Sequence, residues 1–417
     1  MKWTQIVAGI LIGLIVGLIC GYFIGNSLTN PTPIFKGEIK IGYAQSLTGA
    51  LAYEGKEGLD GLTLAVEEVN AAGGVLGNRL TIVTGDTGER DPITVDSVFK
   101  RLIDNNHVDV ILTGVASNTN FEVEICNDKH MPYLISGSSA QTNEFIGNNG
   151  SSWPYIWSFA PLYTAYHTIP EYIELWQSQG YLNLTTKSVA LITSDNPYSK
   201  YVSDGLKVKF GERGWQIVVD ETVPLETITD WTAILAKIRN KNPDLIVNTD
   251  YMYTNEGVFL DQFLENPTNS IMFMQFAPST PEFLNLTGSK SNGVIYNFPW
   301  LQTRDVPLYA QLEDKFEARF GYKPGTYGHW LYWELYAYVD AVKAVGDYTD
   351  KLAVANQIGQ TVMNTSLGTV QFDQQTHLAM VGENLLPGCY FQVWNGQRIL
   401  LNTQYKKGNF TTPPWFH

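Results

Sequence analysis

Two apolar runs in this chain end in small hydroxyl and amide side chains. Val108 to Leu112 leads into Thr113-Gly-Val-Ala-Ser-Asn-Thr119, and Tyr133-Leu-Ile135 leads into Ser136-Gly-Ser-Ser139. If both runs are parallel strands, Ser117, Asn118 and Thr119 stand beyond one strand end, and Ser136, Ser138 and Ser139 beyond the next. Ligands of open α/β sheets sit at those ends. Hydroxyls and backbone N–H groups at a helix start hold a carboxylate or carbonyl oxygen without a cation. The same residue types cap helices and fill loops, so the capping reading stands beside the binding one. A pair of clusters on adjacent strands weighs toward binding.

Catalytic constellations are thin. The sequence has no G-x-S-x-G, no G-x-G-x-x-G and no P-loop. Its six His residues lack metal-like spacing, so neither a metal nor a cofactor is expected. A serine nucleophile at 136–139 would need His167 or His329 brought to it by the fold, and both read as packing or surface residues. Asp86, after the run Arg79-Leu-Thr-Ile-Val83, reads as a structural strand-end carboxylate. Binding is the expected activity, and an amide-cleaving enzyme is the weakest rival.

The elements that position these clusters alternate. Strands are expected at 40–44, 79–83, 108–112 and 133–135, with helices at 55–71, from Asp91-Pro92 onward, and near 119–129. The pattern restarts after Pro161, with strands at 188–193, 215–219, 244–248, 271–275 and 293–296 and helices at 199–213, 230–240 and 255–265. The stretch 307–365 reads as mainly helical and 368–403 as short strands, with Asn395-Gly396 a hairpin turn. Such alternation predicts an α/β fold of two lobes, each a parallel sheet flanked by helices, with a cleft between them.

At 417 residues, 44 % apolar and 16 % charged, the chain is long enough for two cores. Its net charge of -14 and lack of basic stretches argue against nucleic acid as a partner. Residues 6–24 are uncharged and mostly apolar, close to a bilayer span, with Lys2 on the short side. An uncleaved single-pass anchor with an extracytoplasmic domain is expected, and a cleaved signal peptide is the competing reading. Gly9, Gly13, Gly17, Gly21 and Gly25 recur every four residues along one side of that segment, a face suited to helix–helix packing in lipid. Asn149, Asn183, Asn285, Asn364 and Asn409 lie in N-x-S/T sequons, which fit an exported glycoprotein. Cys126 and Cys389 could bridge if the fold brings them together.

Ile41-Gly-Tyr-Ala-Gln-Ser-Leu-Thr-Gly49 and Gly61-Leu-Thr-Leu-Ala-Val-Glu-Glu-Val-Asn-Ala-Ala-Gly-Gly-Val-Leu-Gly-Asn-Arg-Leu80 resemble the branched-chain amino-acid and amide type of periplasmic solute-binding protein, the receptor component of ABC importers. The resemblance spans residues 38 to 400. It implies the type I periplasmic-binding-protein fold, whose ligand cleft lies at the hinge. Residues 1–25 would be the anchor or signal and 26–36 a linker. Lobe 1 would comprise 37–159 plus 297–367, lobe 2 160–296 plus 368–403, and 404–417 a tail. It also implies ABC permease subunits as partners and a small solute as ligand.

Carried over residue by residue, the family's ligand contacts fall on Ser117, Asn118 and Thr119, then on Ser138, Ser139 and Ala140. Tyr53 or Glu54 would cover the ligand from the first loop. Lobe 2 would contribute Tyr198, where Ser199 replaces a family glycine, and Tyr251. The acid that holds the α-ammonium in amino-acid binders is missing from Gln275-Phe-Ala-Pro-Ser279. Asp250 could substitute from the neighbouring strand, or it could cap a helix. If it caps, urea, a neutral amide, or an aromatic or nucleoside solute fits better than an amino acid. Tyr296, Phe298 and Trp300 are expected at the hinge, as pocket wall or as packing. A ligand-sensing ectodomain that regulates a membrane partner is the rival function.

Overall fold

The computed structural model describes residues 33–49, 51–117, 120–161, 166–401 and 410–417. The N-terminal apolar segment with its glycines, and Asn118 and Thr119, lie outside the described residues. Among the described residues no helix is long and apolar enough to cross a membrane.

The first sheet is parallel throughout, in the order β2-β1-β3-β4-β5, with β1 Gly37–Gln45, β2 Asn78–Asp86, β3 Val110–Val115, β4 Tyr133–Gly137 and β5 Ile156–Ser158. The second has the order β14-β13-β10-β9-β8-β6-β7. Here β6 is Ser188–Ser194, β7 Gln216–Val223, β8 Leu245–Asn248, β9 Ile271–Met274, β10 Ile295–Phe298, β13 Cys389–Trp394 and β14 Gln397–Leu400. Strands β10, β9, β8, β6 and β7 run parallel, and β13 and β14 are antiparallel additions. A separate two-stranded ribbon joins β11 Val362–Thr365 to β12 Gly368–Gln371. The two-lobed α/β expectation therefore holds, and the Asn395-Gly396 turn links β13 to β14 with φ of 51° and 68°, as a tight hairpin requires.

Burial on both faces explains the continuous apolar runs. Successive side chains alternate across a strand. In β1 and β3, Ile41, Tyr43, Val110 and Leu112 enter one core, while Ala44 and Ile111 enter the core on the opposite face. In β8 and β9, Leu245, Val247, Ile271 and Phe273 face one core, and Ile246, Met272 and Met274 the other.

Helices α1 Ala52–Ala71, α2 Pro92–Lys100, α3 Phe121–Asp128 and α4 Ala140–Gly147 follow strands of the first sheet. Helices α5 Ile169–Ser178, α6 Pro197–Glu212, α7 Thr232–Lys241, α8 Tyr253–Glu265 and α9 Pro281–Thr287 belong to the second half, followed by α10 Pro307–Phe320, α11 Thr326–Val345 and α12 Lys351–Gly359.

The chain passes between the sheets after β5, after β10 and before β13. Residues 372–379, which the sequence reading gave to lobe 2, lie on the first sheet: Leu378 bridges Ser158, and the Phe372 ring meets Phe159 at 5.1 Å. Cys126 and Cys389 are both free thiols, buried in separate cores. Of the sequon asparagines, Asn149, Asn183, Asn285 and Asn364 are exposed, and Asn409 is outside the described residues.

Helices α1 and α11 cross at Gly61, where a Cβ would lie 2.1 Å from the Gly328 carbonyl oxygen. Backbone cannot yield there as a flexible side chain would. Gly61→Ala is expected to destabilise the protein by about 1–3 kcal/mol, the usual range for overpacking. Chemical denaturation of the two proteins checks this, and an unchanged midpoint would contradict it.

Candidate solute cleft

The parallel strands of both sheets direct their C-terminal ends toward one cleft. It has a cavity volume of about 170 Å³ between the lobes and is partly open to solvent. The wall from the first sheet is built by the turns after β2, β3 and β4 and by the starts of α1 and α11, through Leu51, Glu54, Arg90, Val115, Ala116, Gly137, Ser138, Ser139 and Tyr327.

The opposite wall is aromatic. Tyr198 follows β6, Tyr251 follows β8, Phe276 follows β9, and Phe298 ends β10, so four adjacent parallel strands each deliver one ring. Tyr166 joins them from the crossing after β5. The rings close on one another: Tyr166–Tyr198 at 5.9 Å, Tyr198–Tyr251 at 6.1 Å, Tyr251–Phe276 at 6.3 Å, Phe276–Phe298 at 5.8 Å and Phe298–Tyr166 at 6.5 Å between centroids. Most of these contacts are edge-to-face, the favourable geometry for aromatic pairs. Trp300 packs edge-on against Phe298 at 4.7 Å and also lines the cleft.

Phe276 is held in a strained conformation. Its φ of 70° and ψ of -57° form a γ-turn, closed by Ala277 N–H donating to the Gln275 carbonyl at 2.9 Å. A non-glycine residue there costs on the order of 1–3 kcal/mol and persists only where its surroundings impose it. The turn aims the ring into the cleft. Gln275 itself is fully buried, and its amide donates to the Tyr198 hydroxyl at 3.0 Å, so it positions a lining residue.

Arg90 has no counterpart among the expected site residues. Its Nη1 donates to the Ala116 carbonyl at 3.2 Å, and its own φ is 63°. The loop that carries it is pinned at both ends. Asp86 accepts from Leu47 N at 2.9 Å, Gly88 N at 2.9 Å and the Thr48 hydroxyl at 2.8 Å. Burial pushes that carboxyl up, but these hydrogen bonds outweigh it and hold the group below the usual aspartate range. Asp91 caps α2 by accepting from Ile93 N at 3.1 Å and Thr94 N at 3.0 Å. The tract Asp86-Thr-Gly-Glu-Arg-Asp-Pro92 held a signal for Arg90: a cation one residue before a helix cap, in a strand-end loop.

The expected residues divide. Glu54, Ser138, Ser139, Tyr198 and Tyr251 line the cleft, as do Phe298 and Trp300. Ser138 donates to Asn143 Oδ1 at 2.5 Å, and Ser139 caps α4 by accepting from Thr142 N at 3.1 Å. Ser117, Tyr53, Ala140, Asp250 and Gln275 do not line it. Ser117 gives both its N–H and its hydroxyl to the buried Glu122. Tyr53 faces a separate groove beside Glu282, and Ala140 lies at the outer side of the α4 start.

Asp250 is fully buried and accepts from Met252 N at 3.1 Å and Asn255 Nδ2 at 2.8 Å; it shapes the turn into α8 rather than the cleft. Tyr296 packs internally on Phe391 at 5.0 Å. Ser199, at the family's glycine position, donates to the Thr249 carbonyl at 2.6 Å and ties the start of α6 to the end of β8. No histidine occurs among the described lining residues. His329 is buried against Tyr309, its ring pushed down to about 3 by burial.

A profile described as periplasmic binding protein matches residues 38–387. The chain belongs to the periplasmic binding protein family. It is 26 % identical over 232 residues to Leu/Ile/Val-binding protein homolog 7 of Brucella melitensis, a match that spans 54 % of this chain and only 55 % of that relative. It is 25 % identical over 353 residues to Leu/Ile/Val-binding protein homolog 2 of Brucella abortus, covering 81 % of this chain and 86 % of the relative. A Silicibacter pomeroyi protein assigned to branched-chain amino-acid ABC transport superposes with a TM-score of 0.82 at 25 % identity, over 91 % of this chain and 100 % of that one. Fold and family are those of non-catalytic solute-binding proteins.

Two carboxyls on α1 make this wall sensitive to pH. Burial pushes Glu54 up to about 7, with Glu282 adding to the rise and Arg90 opposing it. Glu57, 2 % exposed, accepts from Gly328 N at 2.6 Å, and burial pushes it up to about 8 against that hydrogen bond. Between about 4.5, the ordinary value, and about 8 these two carboxyls hold more protons in the folded chain than in the unfolded chain. The contribution of these carboxyls to stability is therefore greatest at the acid end of this window and is lost as pH rises through it. Glu57→Gln keeps the acceptor and removes the ionisation, so its stability should fall less steeply between pH 5 and 8. Denaturation at several pH values checks this; equal slopes would contradict it.

Proposed function

We propose that the chain is the extracytoplasmic solute receptor of an ABC importer. It captures a small solute by closing two lobes, and then presents the closed form to permease subunits. The observation that carries this reading is the cleft, framed on one side by Glu54, Arg90 and Ser138 and on the other by the aromatic ring. Neither wall alone can surround a solute. A solute that touches both is bound more tightly when they approach, and that difference in affinity shifts the population toward the closed form. The apolar segment 6–24 would hold the receptor at the membrane and raise its effective concentration at the permease.

The relatives' names point to amino-acid solutes. The acid available to an α-ammonium in this cleft is Glu54, since Asp250 is committed to the α8 turn.

A thermal-shift screen of the purified protein tests the reading, with amino acids, amides, urea, nucleosides and aromatic acids as candidates. One chemical class should stabilise it, by about 2.7 kcal/mol at a hundredfold excess over Kd. Trp300→Ala should remove most of that shift. Stabilisation that survives both Trp300→Ala and Tyr198→Ala would place the solute elsewhere and contradict the proposal.

A further inference from the structure

Arg90 is the single cationic side chain among the described residues that line the cleft. No carboxylate among the described residues lies within ion-pair distance of it, although the protein forms ion pairs readily elsewhere, as between Arg319 and Glu67 or Arg213 and Glu174. Its hydrogen bond to the Ala116 carbonyl fixes the guanidinium without neutralising it. A half-buried guanidinium beside apolar Leu51, Val115 and Ala116 gains most from an anion that reaches it with two oxygens.

The facing wall sets the rest of the ligand. Rings from Tyr198, Tyr251, Phe276 and Phe298 form a closed frame with Tyr166, and such a frame favours a flat, apolar body over a branched polar one. Phe276 is placed there at the cost of its γ-turn, and Gln275 fixes the Tyr198 hydroxyl. Trp300 is buried in the same wall, and its indole N–H has no acceptor among the described residues.

We infer that the solute is an aromatic carboxylate whose carboxyl group pairs with Arg90 and whose ring lies within the aromatic frame. This deepens, and rests on, the reading of the chain as a solute receptor. An α-ammonium on the same body would fall to Glu54, so an aromatic acid and an aromatic amino acid share this chemistry and are separated by experiment.

Calorimetric titration of the protein with phenylacetate, phenylalanine, phenylacetamide and leucine tests the inference, with the change in intrinsic tryptophan fluorescence that Trp300→Phe removes as a second readout. At least one of the two aromatic carboxylates should bind, and phenylacetamide and leucine should bind at least tenfold more weakly. Arg90→Ala should weaken the bound carboxylate about 10- to 100-fold, as expected for loss of a charge-assisted pair. Arg90→Lys, which keeps the charge but not the fork, should recover part of the loss and confirms that the site remains folded. If Glu54→Gln weakens phenylalanine alone, the solute is the amino acid; if phenylacetate binds and is indifferent to that change, it is the plain acid.

Equal binding of phenylacetamide and phenylacetate, tighter binding of leucine than of phenylalanine, or less than a threefold effect of Arg90→Ala would overturn the inference. In each of those cases solute capture itself stands. If no member of the panel binds and the purified protein carries no small molecule by native mass spectrometry, both the inference and the receptor reading fail.

Discussion

The direction of the strands is the constraint from which the rest follows. Parallel strands that are connected by helices place all their C-terminal ends on one edge of the sheet. Because the chain crosses between the sheets after β5, after β10 and before β13, the two such edges face each other. Every turn that leaves a strand on that side is then a potential wall of one cleft. Loops there are free to differ because the continuous apolar runs of β1, β3, β8 and β9, buried on both faces, hold the frame.

The two edges carry different chemistry. The first sheet supplies the charged and hydroxyl groups, Arg90, Glu54, Ser138 and Ser139; the second supplies rings, one from each of four neighbouring strands. The polar side is held by short-range hydrogen bonds: Asp86 pins the loop before Arg90, and Ser139 caps α4. Contacts between the rings hold the aromatic side, together with one strained residue, Phe276, and one buried amide, Gln275. Lobes that each carry half of a ligand's contacts have a reason to close only when a ligand joins them, which is how binding energy becomes a conformational signal.

The fold was legible because apolar runs and helical periodicity alternate along the sequence, and that pattern admits few architectures. The site was legible in part. Position beyond a strand end can be read from the sequence, but the side of a turn that a residue faces cannot. Ser117 and Asp250 occupy the right positions and turn inward, to Glu122 and to Asn255. Arg90 sits in the loop between β2 and α2, and it faces the cleft through an unusual backbone angle that no residue type announces. The aromatic ring is assembled from Tyr166 to Phe298, and its closure depends on the strand order β10-β9-β8-β6 rather than on spacing along the chain.

Small-angle X-ray scattering of the purified protein tests the clamp directly. It should be measured free and with whichever of phenylacetate, phenylalanine or leucine saturates the protein. Approach of the two walls predicts a smaller radius of gyration with solute bound, and no such change when both Trp300 and Tyr198 are replaced by alanine. A radius of gyration that is the same with and without saturating solute would contradict capture by closure.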